Sequence, residues 1–116
     1  FEPPVPLPRV PPHVLGLVSY DQRALVLVDV SLFLGLPTRV APSEGSRTLV
    51  VSAGAFRVGL PVEHALGVVD LDGERIRDGA HVFAGRLGEY VRAEVETETG
   101  VAGVLDLDPL LEAARV

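Results

Sequence analysis

One unit occurs twice in this chain, and it narrows the folds open to it. Ala24-Leu25-Val26-Leu27-Val28-Asp29-Val30 runs into Ser31-Leu32-Phe33-Leu34-Gly35, and Val101-Ala102-Gly103-Val104-Leu105-Asp106-Leu107 runs into Asp108-Pro109-Leu110-Leu111-Glu112. Each is a β-rich apolar run with an Asp near its end. A capping residue, Ser31 or Asp108, and a short leucine-rich helix follow. Two such strand-then-helix units in 116 residues predict two similar sub-barrels in one domain, residues 1–116. That layout has no evident need of catalytic residues and points to binding or scaffolding.

Hydrophobic residues make up 47% of the chain, yet only four Phe and two Tyr are aromatic. The core must therefore be built mainly of Val, Leu and Ala. Val favours strands, because its branched Cβ packs well on a pleated surface. Twelve Gly and ten Pro, spread along the chain, predict short elements and many turns. The expectation is an all-β fold with short helices. There is no Cys, which excludes a disulfide framework and thiolate chemistry. No run approaches the roughly 18 apolar residues of a membrane helix, and no signal segment opens the chain, so no membrane insertion and a cytoplasmic location are expected. A net charge of −6 without a basic patch predicts no nucleic-acid partner, since phosphate neutralisation supplies most of that affinity. Residue 1 is Phe and the chain has no Met, which reads as a fragment, a processed form or an ordered core.

Residues 1–12 (FEPPVPLPRVPP) are proline-dense. Each Pro lacks an N–H, so the segment cannot enter a central strand, and an extended strap is expected in preference to a P-x-x-P ligand. His13–Tyr20 and Ala24–Val30 read as a hairpin turning at Asp21-Gln22. Ser31 starts a short helix that Gly35 and Pro37 end. A polar loop follows over 37–46. Thr48–Ala53 and Phe56–Val62 read as strands about Gly54, and His64–Leu71 continues in strand-like fashion with Gly67 as a bulge. Residues 72–80 are polar and turn-rich, and 81–86 carry no clear pattern. Tyr90–Thr97 alternates, with Val91, Ala93 and Val95 on one face and Arg92, Glu94 and Glu96 on the other. A turn at Glu98-Thr99-Gly100 leads to the last strand, Val101–Leu107, and a helix with Pro109 at its first position.

The search for chemistry is negative. His13, His64 and His81 lack metal-ligand spacing. Gly54-Ala55-Phe56-Arg57-Val58-Gly59 has phosphate-loop glycine spacing but lacks the Lys-Ser/Thr that would follow. Asp70-Leu71-Asp72-Gly73-Glu74 opens like a calcium loop but lacks its later ligands. Asp29 and Asp106 could do acid–base work, but their repeated position argues for accepting backbone N–H bonds at a strand-to-helix corner. No serine sits in a nucleophile elbow. No enzyme, cofactor or metal is expected.

Four blocks in order resemble the CheW-like coupling proteins. Gly16-Leu17-Val18-Ser19-Tyr20-Asp21-Gln22, followed by Leu25–Val30, is similar to that family's signature hairpin. Leu7-Pro8-Arg9-Val10-Pro11 resembles its proline strap. Val58-Gly59-Leu60-Pro61-Val62-Glu63 with Gly67-Val68-Val69 resembles its V-G-L-x-V-D block. Tyr90-Val91 with Val104–Leu111 resembles its closing strand and helix. The resemblance implies two intertwined SH3-like five-stranded β-barrel subdomains and no chemistry. The implied partners are a histidine kinase regulatory domain and a chemoreceptor cytoplasmic tip. Gly16, Asp21 and Gln22 would lie at the receptor-facing turn. Leu60 and Val62 would line a groove, or simply pack in the core.

The chain departs from the family at three places. Asp21-Gln22 replaces an Arg-Gly turn, which reverses charge and removes donors where the receptor would dock. The stretch from Ile76 to Tyr90 is short and lacks paired prolines. The family's opening strand pair is missing before Phe1 and would leave a barrel edge open; the expectation is that the segment is disordered or cut away, or that another chain fills the gap, self-association included. Two further readings stay open: a CheW-like regulatory fragment of a histidine kinase, and a small β-barrel hydrolase using Asp29 or Asp106.

Overall fold

The computed structural model describes residues 3–36, 46–53, 56–70, 73–77, 85–98 and 100–114. The chain forms two compact units, Phe1–Leu66 with Ala114–Val116, and Gly67–Ala113. The first holds β1 (Val14–Tyr20), β2 (Arg23–Val28), α1 (Val30–Phe33), β3 (Arg47–Ala53) and β4 (Phe56–Val62) in a sheet of order β1-β2-β4-β3. The second holds a 3₁₀ turn (Gly73–Arg75), β5 (Ile76–Arg77), α2 (Gly85–Tyr90), β6 (Val91–Thr97) and β7 (Gly100–Leu105), with sheet order β5-β6-β7. α3 (Leu107–Ala114) closes the described chain. The fold is thus all-β with short helices, in two β subdomains. Among the described residues the sheets hold four and three strands.

The sequence repeat is a structural repeat. β1 and β2 pair antiparallel from Val14↔Val28 to Tyr20↔Arg23, with a register shift between Val14 and Gly16. β6 and β7 pair from Val91↔Leu105 to Thr97↔Gly100, with the shift between Val91 and Ala93. Every paired position, and the bulge, recurs at a constant offset. The corner beyond each hairpin recurs too. Asp29 N–H donates to the His13 carbonyl at 2.7 Å, and Phe33 N–H to the Asp29 carbonyl at 3.0 Å. Asp106 N–H donates to the Tyr90 carbonyl at 2.8 Å, and Leu110 N–H to the Asp106 carbonyl at 3.3 Å.

These corners correct the predicted caps. Ser31 lies inside α1, and the capping residue is Asp29, whose extended backbone (φ −86°, ψ 95°) lets Oδ1 accept from Leu32 N–H at 3.1 Å. Asp108 and Pro109 lie inside the first turn of α3, which begins at Leu107. Asp29 therefore does what was expected of Ser31, while Asp106 holds the corresponding place ahead of α3, its carbonyl accepting from Leu110 N–H. Gly35 ends α1 as anticipated. Its φ of +75° lets Gly35 N–H reach the Leu32 carbonyl and Leu36 N–H the Ser31 carbonyl, at 3.1 and 2.9 Å, a Schellman closure.

The strand expected over His64–Leu71 is absent across its described residues, 64–70, which take no regular secondary structure and are exposed. β4 already has β2 on one side and β3 on the other, so the chain leaving Val62 has no free edge of that strand to join. Arg86 falls in α2. The loop at 37–45, the turn at Gly54, and His81 lie outside the described residues.

Core positions in the first unit include Val14, Leu25, Leu27, Val28, Phe33, Leu34, Val58 and Leu60; in the second, Val91, Val95, Leu110 and Leu111. Leu110 and Leu111 lose essentially all solvent contact, each contributing about 1.5–3 kcal/mol by burial. The proline strap crosses β1 at one rung. Val5 and Leu17 exchange both N–H···O bonds, each 2.8 Å. Gly16 permits this approach: its φ is +138°, and a Cβ there would sit 2.3 Å from the Val5 carbonyl oxygen.

Two expectations follow from these contacts. Gly16→Ala should cost about 1–3 kcal/mol in urea unfolding, from strain and strap displacement, and should speed exchange of the Leu17 amide. Asp29→Ala should cost about 1–2 kcal/mol, whereas Asp29→Asn, which keeps the capping oxygen, should stay near the parent stability.

Candidate interaction surface

The tip of the first hairpin is built from two residues that are not glycine. Asp21 and Gln22 have φ of +51° and +63°, the left-handed pair of a type I′ turn. That turn matches the twist of the flanking strands, which is why a two-residue loop selects it. Asp tolerates the conformation through its short polar side chain; Gln has no such excuse. Strain of this kind is held only where the structure around it is well determined. Here the β1–β2 ladder supplies that support, and both side chains stand exposed at the end of the sheet.

Tyr20 and Arg23 form the closing pair beneath this tip. The Arg57 guanidinium, from β4, lies 5.5 Å from the centre of the Tyr20 ring, a cation–π contact at the surface. Tyr20 remains 45% exposed, and Tyr and Arg are the side chains that most often carry binding energy. Beside the tip, the strap and the edge of β1 enclose an open pocket of about 400 Å³, lined by Pro3, Val5, Leu17, Ser19, Gln22 and Arg23 among others.

The predicted site residues fall into two groups. Gly16, Asp21 and Gln22 share the β1–β2 hairpin, with Gly16 buried beneath the strap and the turn exposed. Leu60 and Val62 lie on β4. Leu60 is 6% exposed and takes part in the core, opposite Leu49, while Val62 is half-buried opposite Arg47. Tyr20, Arg23, Arg57 and the strap's Val5 were missed. The hairpin register alone could have placed Tyr20 against Arg23. Arg57 could not have been found that way, because it arrives through the non-local parallel pairing of β2 with β4.

The carboxylates do not form an acid–base pair within one unit. Asp29 is buried at 5% exposure and serves the α1 cap. Asp106 stands at the equivalent corner of the second unit. His13 Nε2–H donates to the Ala114 carbonyl, 2.9 Å away, and the ring meets that of Phe33 edge-on at 5.0 Å, so it reads as packing. The ion pair between Arg77 and Glu96, 2.6 Å long and exposed, adds little stability. No group of three or more His, Cys, Asp or Glu that could hold a metal occurs among the described residues. No described helix is long and apolar enough to cross a membrane.

No curated protein matches the chain. Among solved structures it is similar to the scaffolding protein TtCheW from Thermoanaerobacter tengcongensis, with a TM-score of 0.79 at 19% identity over 97% of this chain and 76% of that one. At that identity the likeness speaks for the fold. The model of the CheW-like domain matches residues 1–115. With nearly the whole chain matched, and with two hairpin-and-corner units standing where the resemblance required them, the chain belongs to the CheW-like domain family.

Proposed function

We propose that this protein is a non-enzymatic adaptor that couples chemoreceptor-type signalling proteins to a histidine kinase in the cytoplasm. The observation that carries the reading is the family match over residues 1–115. The surface agrees with it. An exposed, conformationally fixed hairpin tip flanked by Tyr20 and Arg57 offers a rigid contact, and rigid contacts lose little entropy on binding. The kinase regulatory domain and the receptor's cytoplasmic tip are the partners this role requires.

In this reading the turn at Asp21-Gln22 faces the receptor. A carboxylate there selects a cation on the partner, where an arginine would select an anion. Leu60, being buried, supports the sheet that presents the turn, and Val62, half-buried, is the one of the two open to contact.

Calorimetric titration with the regulatory domain of a chemotaxis-type kinase from the same source should give saturable one-to-one binding. Asp21→Arg should leave that titration unchanged and shift affinity for the receptor tip by about 5- to 50-fold, as expected of one charge reversed at a contact rim. A folded chain that binds neither partner would refute the proposal.

A further inference from the structure

The strap covers the edge of β1 at one rung and fails at the next. Leu17 commits its N–H and C=O outward to Val5. Outward-facing groups recur at every second residue of a strand, so Ser19 also turns its N–H and C=O away from β2. Its pairing with Ala24 is accordingly one without ladder bonds. The strap runs antiparallel to β1, which sets Pro3 opposite Ser19. Pro3 has no N–H to give, and no hydrogen bond joins it to Ser19 among the described residues. The result is an open backbone donor and acceptor on an edge strand.

That open rung borders the 400 Å³ pocket, whose walls include Pro3, Val5 and Leu17. Val5 is 64% exposed, so the apolar wall is uncovered. Arg23 stands at the rim and has no ion-pair partner among the described residues. A backbone rung, an apolar recess and one unneutralised guanidinium are together the elements of strand-addition recognition. Main-chain bonds give affinity, and a pocket and a charge give selectivity.

We infer that the β1 edge at Ser19 is a docking site for an extended, proline-free segment of a partner protein, carrying an apolar side chain for the pocket and a carboxylate for Arg23. Charge chooses this occupant over a second copy of the chain. Two whole chains of net charge −6 repel one another, while a short segment with a single carboxylate carries little net charge and gains the local attraction of Arg23. The site requires the strap to give up only Pro3, which holds no ladder bond. The inference goes beyond the adaptor reading, since it names a site and a ligand chemistry that hold whichever signalling partners the chain serves.

The test uses the full chain, isotopically labelled, titrated with the capped peptide Ac-Thr-Val-Glu-Val-Thr-NH₂ and its Lys counterpart. Saturable shifts of the Leu17, Ser19, Gln22 and Arg23 amides are expected with the Glu peptide, and binding about three-fold or more weaker with the Lys peptide. Ser19→Pro removes the outward N–H without touching the ladder to β2, a substitution edge strands accept, and should abolish the shifts while the remaining spectrum stays folded. Pro3→Ala restores a donor to the strap at that rung and should weaken the peptide through competition. Arg23→Glu, kept as a second variant should Ser19→Pro unfold, should invert the Glu-over-Lys preference. Shifts that map elsewhere, equal binding of both peptides, or no shifts at saturating peptide would overturn the site. Concentration-dependent dimerisation through the same amides would overturn the choice of occupant.

Discussion

The bond from the Asp29 amide to the His13 carbonyl closes the open end of the first hairpin, and much of the first unit is organised by it. It makes Asp29 the last residue of extended chain, so the helix must start at Val30. An extended backbone at that point aims the carboxylate at Leu32, which turns a buried acid into a satisfied cap. Phe33 then drops into the core and meets the His13 ring, whose other contact is the Ala114 carbonyl. One short backbone bond thus determines a strand end, a helix start and the seat of an aromatic pair. The Asp106 amide and the Tyr90 carbonyl make the equivalent bond at the second hairpin, where α3 starts at Leu107.

Much of this was legible in the residues. The offset between the apolar runs located both hairpins, because a strand pair closed by a two-residue turn has little freedom of register. The alternation over Val91–Thr97 gave the face of β6, since side-chain direction has period two. The caps were misplaced for a local reason: Ser31 and Asp108 are good capping types, but the cap goes to the residue that still has strand geometry, and a tertiary bond decides which that is. The run from His64 onward failed for a non-local reason. A strand needs a free edge to pair with, and composition cannot reveal that both edges of β4 are already taken. Of the candidate surface, the turn was legible and the Tyr20–Arg57 contact was not, because it depends on a parallel pairing between segments some thirty positions apart.

The two units treat the outer edge of their first hairpin strand differently. On β6 that edge is met by β5, through Ile76↔Val95 and Arg77↔Glu94, with an exposed ion pair from Arg77 to Glu96 alongside. On β1 it is met by the strap, at the single rung of Val5 and Leu17. The residue after the bulge reflects the difference. Ala93 carries a Cβ in the second hairpin, while Gly16 must lack one in the first to let the strap carbonyl pass. At this edge the strap is what breaks the internal repeat, and it does so beside the hairpin tip.

Among the described residues the strap meets β1 through one pair of hydrogen bonds flanked by prolines, so at that edge it has no second rung to lose by fraying. The strap is either seated or off. The Leu17 amide therefore opens in a single local step, with a free energy set by the strap alone. Its neighbours Val18 and Tyr20 face β2 and open only when the hairpin does. Alternate residues of one strand thus belong to two different cooperative units, so β1 is at once part of the rigid sheet and the boundary of its most easily opened layer.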